Sequence, residues 1–156
     1  MCRGISILKA RIRQELFEQY ELGRFIHNRG GEDELWFDFA ERIQQVLLPI
    51  VQDGQMSIVE WGNRGGKGKL PKTGWCQQES LMAGKWHWIH PEQVTIPANF
   101  GLEKGIWFQI NEGIKAILVY DETGKKHAYM QTEPASHYYE IMTRHNRMPV
   151  LVDQTI

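Results

Sequence analysis

The chain has 156 residues, of which 42% are hydrophobic and 24% are charged, as expected of one globular domain. Its net charge of −1 excludes a general positive field, so binding to nucleic acid would require a local basic patch. Two cysteines, Cys2 and Cys76, offer no disulfide framework, and charged residues interrupt the N-terminal apolar runs. No stretch approaches the roughly 18 apolar residues of a membrane span. We expect a cytoplasmic monomer, nucleoid-associated if bacterial, with no membrane partner.

The first half of the chain contains one long amphipathic pattern and one hairpin signal. Apolar residues at spacings of three and four predict a helix over residues 5–22, ended by Gly23. Residues 24–34 predict a loop, and residues 35–40 fit either a helix or an extended segment. Asp53-Gly54 between the apolar runs 46–51 and 56–61 predicts a β-hairpin, whose first strand Pro49 places at an edge or a bulge.

The second half of the chain is rich in predicted strands. A glycine-rich basic loop occupies 62–74, and a short helix is predicted within 77–85. Strands are predicted at 94–97, 106–110, 116–120, 127–130 and 150–152, with a helix within 135–144. This order predicts an α+β fold. We expect one compact domain, residues 1–156, around a mixed, mostly antiparallel, curved β-sheet or open barrel with a few helices.

Cys2 has a reactive possibility that an internal cysteine lacks. Removal of Met1 would leave an α-amine and a thiol on one carbon skeleton, and the two can close on an aldehyde as a thiazolidine ring. Reference pKa values of about 7.7–8.0 for the amine and about 8.5 for the thiol leave usable reactive fractions near neutral pH. The alternative is that position 2 is a disordered start of the chain.

The glycine-rich loop does not match a phosphate-binding P-loop. Five residues, not four, separate Gly62 from Gly68-Lys69, and Leu70 stands where Ser or Thr would hold Mg²⁺. The cations of the loop are Arg64, Lys67, Lys69 and Lys72. Trp61 and Trp75 flank them, a composition that suits single-stranded nucleic acid. The alternative is a solvated loop between two core tryptophans.

Three other segments contain candidate functional side chains. His87 and His90, with Cys76 upstream, have a spacing compatible with a metal, but no fourth ligand is suggested, so we predict neither a metal site nor a cofactor. Glu103 follows a strand and precedes an aromatic pair, a setting that suits general acid/base chemistry. A histidine such as His145 can transfer protons near neutral pH. Glu and His in loops are otherwise ordinary surface residues.

Taken together, these segments resemble the SRAP family, the SOS response-associated peptidases or abasic-site-processing proteins. The start Met1-Cys2-Arg3-Gly4 is similar to the family's Met-Cys-Gly-Arg, and residues 145–149 are similar to its His-Asp-Arg-Met-Pro. Residues 96–103 resemble Ile-Pro-Ala-Asp-Gly-aromatic-aromatic-Glu, and residues 46–62 resemble the family's strand-turn-strand segment ending in Trp-Gly. The resemblance covers residues 36–152 and Cys2.

The resemblance implies a protein that binds single-stranded DNA at abasic sites and forms a covalent thiazolidine crosslink after Met1 is removed. It implies that Cys2 is the nucleophile, that Glu103 is an acid/base residue for methionine release and ring opening, and that His145 assists proton transfers at the sugar. No external cofactor is implied. The expected DNA-binding residues are Trp61, Asn63, Arg64, Lys67, Lys69, Lys72, Trp75, Gln77 and Arg147.

One family motif is poorly preserved. The family's Asn-Ala-Arg-Ala-Glu-Thr corresponds to residues 75–80, where only Glu79 and the conservative Ser80 agree. Trp75 stands where an Asn orients the sugar, and Gln77 stands where an Arg binds phosphate. Two alternatives therefore stay open, namely a non-catalytic single-stranded-DNA-binding module on the same scaffold and a peptidase, acting in trans or limited to self-processing.

Overall fold

Strands account for most of the regular structure of this protein, whose computed structural model describes residues 1–40 and 46–156. Within these residues the strands are β1 (Gly4–Leu8), β2 (Ile26–Arg29), β3 (Glu32–Asp38), β4 (Leu47–Gln52), β5 (Gln55–Trp61), β6 (Trp75–Gln77), β7 (Glu92–Ile96), β8 (Phe100–Glu103), β9 (Ile106–Gln109), β10 (Ile114–Tyr120), β11 (Lys126–Pro134) and β12 (Arg147–Pro149). The α-helices are α1 (Gln14–Gln19), α2 (Gln78–Met82) and α3 (His137–Thr143). Short 3₁₀ helices occupy Lys9–Arg11, Leu22–Phe25 and His87–Ile89.

The strands form two sheets, one of which closes into a barrel. The first sheet has the order β2-β3-β1-β8-β9 and its pairs are antiparallel. The second has the order β10-β7-β4-β5-β11-β12, and an additional β10–β11 pairing closes β10, β7, β4, β5 and β11 into a five-stranded ring. Strand β11 runs parallel to β5 and β6. The predicted α+β fold with a mixed, mostly antiparallel sheet is confirmed, and its barrel is closed.

The predicted helix over 5–22 is wrong. Strand β1 lies at the centre of the first sheet, between β3 and β8, with the side chains of Ile5 and Ile7 fully buried. Ile5 and Ile7 are two residues apart, as on one face of a strand, and β3 and β8 pair with β1 on either side. Within residues 5–22 only α1 is an α-helix. The predicted loop at 24–34 is likewise wrong, since β2 and β3 form a hairpin around Gly30 and Gly31.

Most of the later predictions are confirmed. The hairpin β4–β5 turns at Asp53 and Gly54, both with positive φ, and α2, β7, β9, β10, β11 and α3 lie where the sequence predicts helices or strands. Pro49 is not on an edge strand, because β4 lies between β5 and β7. Strand β4 pairs with β7 through Val51 and Thr95, which lies after the proline along β4. The predicted terminal strand 150–152 is replaced by β12, followed by a single bridge from Leu151 to Ile114.

A continuous apolar core joins the first sheet to the barrel. It includes Ile5 and Phe37 from the first sheet and Leu48 and Ile96 from the barrel strands. Burying each such side chain stabilises the fold by about 1.5–3 kcal/mol. Cys2 belongs to this core, so the start of the chain is held inside the protein. Among the helices described, none is long and apolar enough to cross a membrane.

Candidate active site at the N-terminus

The start of the chain is held by backbone hydrogen bonds to two strands of the first sheet. The Arg3 amide donates to the Leu102 carbonyl over 3.0 Å, and the Phe39 amide donates to the Arg3 carbonyl over 2.8 Å. These bonds continue the β1 ladder to the first residues of the chain. Position 2 is therefore ordered and fully buried, and the alternative of a disordered start is wrong.

The α-amino group of Met1 contacts both predicted acid/base residues. Its nitrogen lies 2.7 Å from Glu103 Oε1 and 2.6 Å from His145 Nε2. The Glu103 side chain is buried, whereas that of His145 is partly exposed. Nδ1 of His145 lies 3.5 Å from Glu103 Oε1. The fold thus brings Glu103 and His145 to the N-terminus, one residue from Cys2.

The Met1 amine donates to Glu103 and faces His145, and its pKa responds to opposing effects. The Arg147 amide donates to His145 Nδ1 over 3.0 Å, a shorter contact than the 3.2 Å from Nδ1 to the Arg147 carbonyl. Nδ1 therefore accepts from the Arg147 amide, and Nε2 faces the Met1 amine. Burial lowers the pKa of the Met1 amine, an effect that the adjacent Glu103 carboxylate partly offsets.

The Cys2 thiol is enclosed when Met1 is present. Its Sγ contacts the Gly4 carbonyl oxygen at 3.2 Å, and the residue has no exposed surface. Burial raises the pKa of the Cys2 thiol to about 12, and the Glu103 charge adds to this effect. The sulfur is therefore protonated near neutral pH, and its use as a nucleophile requires a proton acceptor and stabilisation of the thiolate.

Trp75 contacts Cys2 directly. Its indole Nε1 donates to the Cys2 carbonyl oxygen over 2.9 Å. The ring packs edge-on against Phe39, with centroids 4.7 Å apart, and remains partly exposed. Strand β6 holds the residue in place by pairing with β11, where Trp75 lies opposite Met130. The aromatic side chain at the family's Asn position thus fixes the backbone of the predicted nucleophile.

Two predicted DNA-binding residues have their side chains in the interior, which is a correction. Trp61 is fully buried, and its indole donates to the Gly74 carbonyl over 2.9 Å, so no base can stack on it. The Asn63 amide donates to the carbonyls of Lys67 and Leu70, at 2.9 and 3.1 Å. Both side chains close the glycine-rich loop from inside, as the core-tryptophan alternative predicts for Trp61.

The three loop lysines are exposed, but their surroundings are mixed in charge. Lys67 borders a cleft that also contains Glu60, Asp121 and His127. Lys69 borders a second cleft, and Asp121 lines this cleft as well. These carboxylates partly cancel the positive potential of the loop. Lys72 extends along the outside of Gly66.

The remaining predicted DNA-binding residues are Arg147, Gln77 and Arg64, and their contacts lead towards the N-terminal site. Arg147 forms a bidentate ion pair with Glu79, at 2.6 and 3.1 Å, and also donates to Thr132. Exposed Gln77 lies opposite Thr132 in the β6–β11 pairing. Arg64 donates to the Phe39 carbonyl over 2.8 Å, beside the ring that packs on Trp75. Arg147 thus contacts His145 through its backbone amide, Trp75 contacts Cys2, and Arg64 contacts Phe39 beside Trp75.

Sequence reasoning missed two residues of this region. Lys104, which follows Glu103, donates to the Arg144 carbonyl over 2.7 Å and joins the β8–β9 turn to the end of α3. Tyr139 of α3 is fully buried in the core that includes Cys2. The sequence signals Lys104 only through its Lys-Gly turn, and it gives no signal for Tyr139. The position of each residue depends on how α3 packs.

A separate cluster of charged side chains, centred on His127, lies under the glycine-rich loop. His127 Nε2 is 2.9 Å from Asp121, and its Nδ1 is 2.7 Å from the Gly62 carbonyl and 3.2 Å from Glu60. Desolvation would lower the pKa of His127, but the hydrogen bonds to Glu60 and Asp121 outweigh it and raise the pKa to about 9. The residue is therefore a cation at neutral pH that joins β5, the start of the glycine-rich loop and the turn after β10.

The histidines considered for a metal are exposed, and their rings lie 6.2 Å apart. Over residues 1–40 and 46–156, no group of three or more His, Cys, Asp or Glu side chains is arranged to hold a metal ion. Comparison of the sequence with protein-family models gives no match, and comparison with curated proteins gives no significant match. The candidate site is thus defined by its own geometry at Met1, Cys2, Glu103 and His145.

Proposed function

We propose that this protein is an abasic-site-processing protein of the SRAP type. It binds single-stranded DNA and forms a thiazolidine crosslink through Cys2 after removal of Met1. The observation that carries the proposal is the pair of contacts from the N-terminal nitrogen to Glu103 and His145, at 2.7 and 2.6 Å. An acid/base pair at the chain terminus suits chemistry on a terminal amine.

Release of Met1 would use the same pair. Glu103 takes a proton from water, whose oxygen adds to the Met1 carbonyl carbon, and returns this proton to the Cys2 nitrogen as the peptide bond breaks, while His145 holds the Met1 amine in place. One water is consumed, and free methionine leaves. Consecutive Cα atoms lie about 3.8 Å apart, so a small shift brings the new amine to Glu103 and His145.

Capture of the abasic sugar would follow in two steps. The Cys2 amine adds to the aldehyde carbon, and the resulting carbinolamine loses water, with protonation by His145, to give an imine. The sulfur then adds to the imine carbon, the C=N electron pair returns to nitrogen, and the thiol proton passes through Glu103 to that nitrogen. One C–N bond and one C–S bond form, and one water is released. No oxidant or cofactor is needed.

A binding surface beside the site supports single-stranded DNA as the partner. Arg147 and Arg64 can contact phosphates, and the exposed part of Trp75 can stack on an unpaired base. The Arg147 guanidinium is held by Glu79, so a phosphate would replace a carboxylate as its partner. Such an exchange requires little rearrangement of the side chain.

The experiment is a denaturing crosslink assay with single strands that contain an abasic site. We expect a denaturation-resistant adduct with wild type and with Cys76→Ala, and none with Cys2→Ala. A strand with a tetrahydrofuran analogue, which lacks the aldehyde, should give no adduct. An adduct that persists in Cys2→Ala, or no adduct with wild type lacking Met1, would reject the proposal.

The complete enclosure of the Cys2 thiol favours a second candidate, a non-catalytic single-stranded-DNA-binding module. This candidate predicts equal affinity for intact and abasic strands, with a steep fall as salt increases. Alanine substitutions at Lys67, Lys69 and Lys72 would weaken binding, and Cys2→Ala would not. Affinity measured at two salt concentrations with both strands distinguishes the two candidates.

A further inference from the structure

Each member of the predicted acid/base pair has a chain neighbour with a left-handed backbone. Lys104 follows Glu103 and has a φ of 47°, and Arg144 precedes His145 and has a φ of 59°. Residues with a Cβ seldom adopt this conformation, and such strain clusters at functional sites. The two strained positions are also joined, because the Lys104 ammonium donates a hydrogen bond of 2.7 Å to the Arg144 carbonyl.

The turn that contains Lys104 shows what its side chain contributes. Lys104 and Gly105 form the two-residue turn of the β8–β9 hairpin, and φ is positive at both positions. Such turns favour Asn-Gly or Asp-Gly, and the β4–β5 hairpin of the same chain uses Asp53-Gly54. A lysine is therefore unfavourable for the turn itself. Its side chain is long enough for the ammonium to reach the end of α3, where it meets the Arg144 carbonyl.

The hydrogen bond from Lys104 links the two elements that carry the acid/base pair. Glu103 is the last residue of β8 and is buried, so the sheet sets its position. His145 follows α3, and the Arg147 amide orients its ring by donating to Nδ1. A bond across from the β8–β9 turn to the end of α3 restrains the helix end one residue away from His145.

We propose that Lys104 is a positioning residue for this pair. Its ammonium holds the end of α3 against the β8–β9 turn and thereby keeps His145 Nδ1 3.5 Å from Glu103 Oε1. The same restraint keeps His145 Nε2 2.6 Å from the Met1 amine. The assignment rests on the proposed function, in which the pair acts at the N-terminal amine. Lys104 transfers no proton and forms no bond to the reacting atoms.

Lys104→Asn tests the assignment, because it removes the ammonium and supplies a residue that the turn favours. The readout is the rate of Met1 release from the full chain, made by reconstituted translation without a methionine aminopeptidase and followed by intact mass. We expect release to slow about three- to tenfold, the effect of losing one hydrogen bond. The melting temperature should be unchanged or higher. Lys104→Arg, which can donate to the same carbonyl, should restore the wild-type rate.

Asp53→Lys is the matched control, because it places a lysine in the equivalent turn of the β4–β5 hairpin. We expect a lower melting temperature and the wild-type rate of Met1 release. An unchanged rate in Lys104→Asn would overturn the assignment, as would a lower melting temperature that accounts for the slower release or a failure of Lys104→Arg to restore it. If Lys104→Asn fails to fold, Lys104→Met replaces it with the same expected rate, because it also removes the donor.

A measurement that involves neither DNA nor Met1 release separates the two proposals. The nuclear Overhauser contact between the His145 ring and the Glu103 side chain should be present in wild type and Lys104→Arg and weaker in Lys104→Asn. If wild type releases no Met1 and forms no crosslink while this contact still weakens, the abasic-site proposal fails and the positioning role stands. If wild type forms the crosslink and the contact is equal in Lys104→Asn, the abasic-site proposal stands and the role of Lys104 is rejected.

Discussion

The indole nitrogen of Trp75 donates a hydrogen bond of 2.9 Å to the carbonyl oxygen of Cys2, across 73 positions of the sequence. By family resemblance this position should carry an Asn that orients the sugar. Here the Trp75 indole contacts the backbone of the proposed nucleophile and helps to hold Cys2 in place.

Trp75→Phe keeps an aromatic ring and removes the donor to Cys2. We expect the free energy of unfolding to fall by about 0.5–1.5 kcal/mol, the usual net contribution of a hydrogen bond. Crosslinking should slow about tenfold, because a misplacement of the reacting group is costly. Urea unfolding and the crosslink time course measure the two effects. Trp61→Phe is the control, since it removes a similar bond to Gly74 and should lower stability while crosslinking persists.

Glu103→Gln removes the carboxylate that contacts the Met1 amine. We expect the variant to retain Met1 when it is made by reconstituted translation without a methionine aminopeptidase, because the general base for hydrolysis is lost. Intact mass gives the answer, and wild type should lose Met1 under the same conditions. Glu112→Gln, an exposed position, should behave as wild type. Complete loss of Met1 in Glu103→Gln would contradict self-processing by this residue.

The pKa of His127, raised to about 9, predicts a stability change at alkaline pH. The folded protein binds the proton more tightly than the unfolded chain, whose His titrates at about 6.5. The stabilisation is therefore complete below about pH 6.5 and is lost as pH rises through about 9. We expect a loss of about 1–3 kcal/mol over this window, measured by urea unfolding.

His127→Gln should remove most of this pH dependence by lowering stability on the acidic side. His87→Gln, at an exposed position, is the control and should keep the wild-type profile. A wild-type profile that is flat between pH 6.5 and 9 would contradict the proposed ion cluster with Glu60 and Asp121.

Gly62→Ala should disrupt the start of the glycine-rich loop. Gly62 has a φ of 62°, and an added Cβ would meet the Thr73 carbonyl and come within 2.7 Å of the Gly74 Cα. We expect a loss of about 1–3 kcal/mol or more, measured by thermal or urea unfolding. Gly65→Ala is the control in the same loop, because open space surrounds Gly65 and its φ lies outside the left-handed region. Equal stability of the two variants would contradict the loop geometry.

Local signals predicted the elements that depend on neighbouring residues. Asp53 and Gly54 favour a tight turn wherever they are placed, and the β4–β5 hairpin follows from them. Helix α3 begins where Ser136 accepts a hydrogen bond from the Tyr139 amide, a standard cap. The prediction for 5–22 failed because pairing with β3 and β8 holds β1 in an extended conformation, and the local spacing of apolar residues does not reveal these partners.

The residue pattern alone predicts the α+β class, the hairpin and a short list of reactive side chains that includes Cys2, Glu103 and His145. The folded chain adds that the last two meet the N-terminal nitrogen, that the thiol is enclosed, and that Trp61 faces inward. The physical reason is that these contacts join positions up to 144 apart, and strand pairing and core burial, which no local pattern encodes, set their distances.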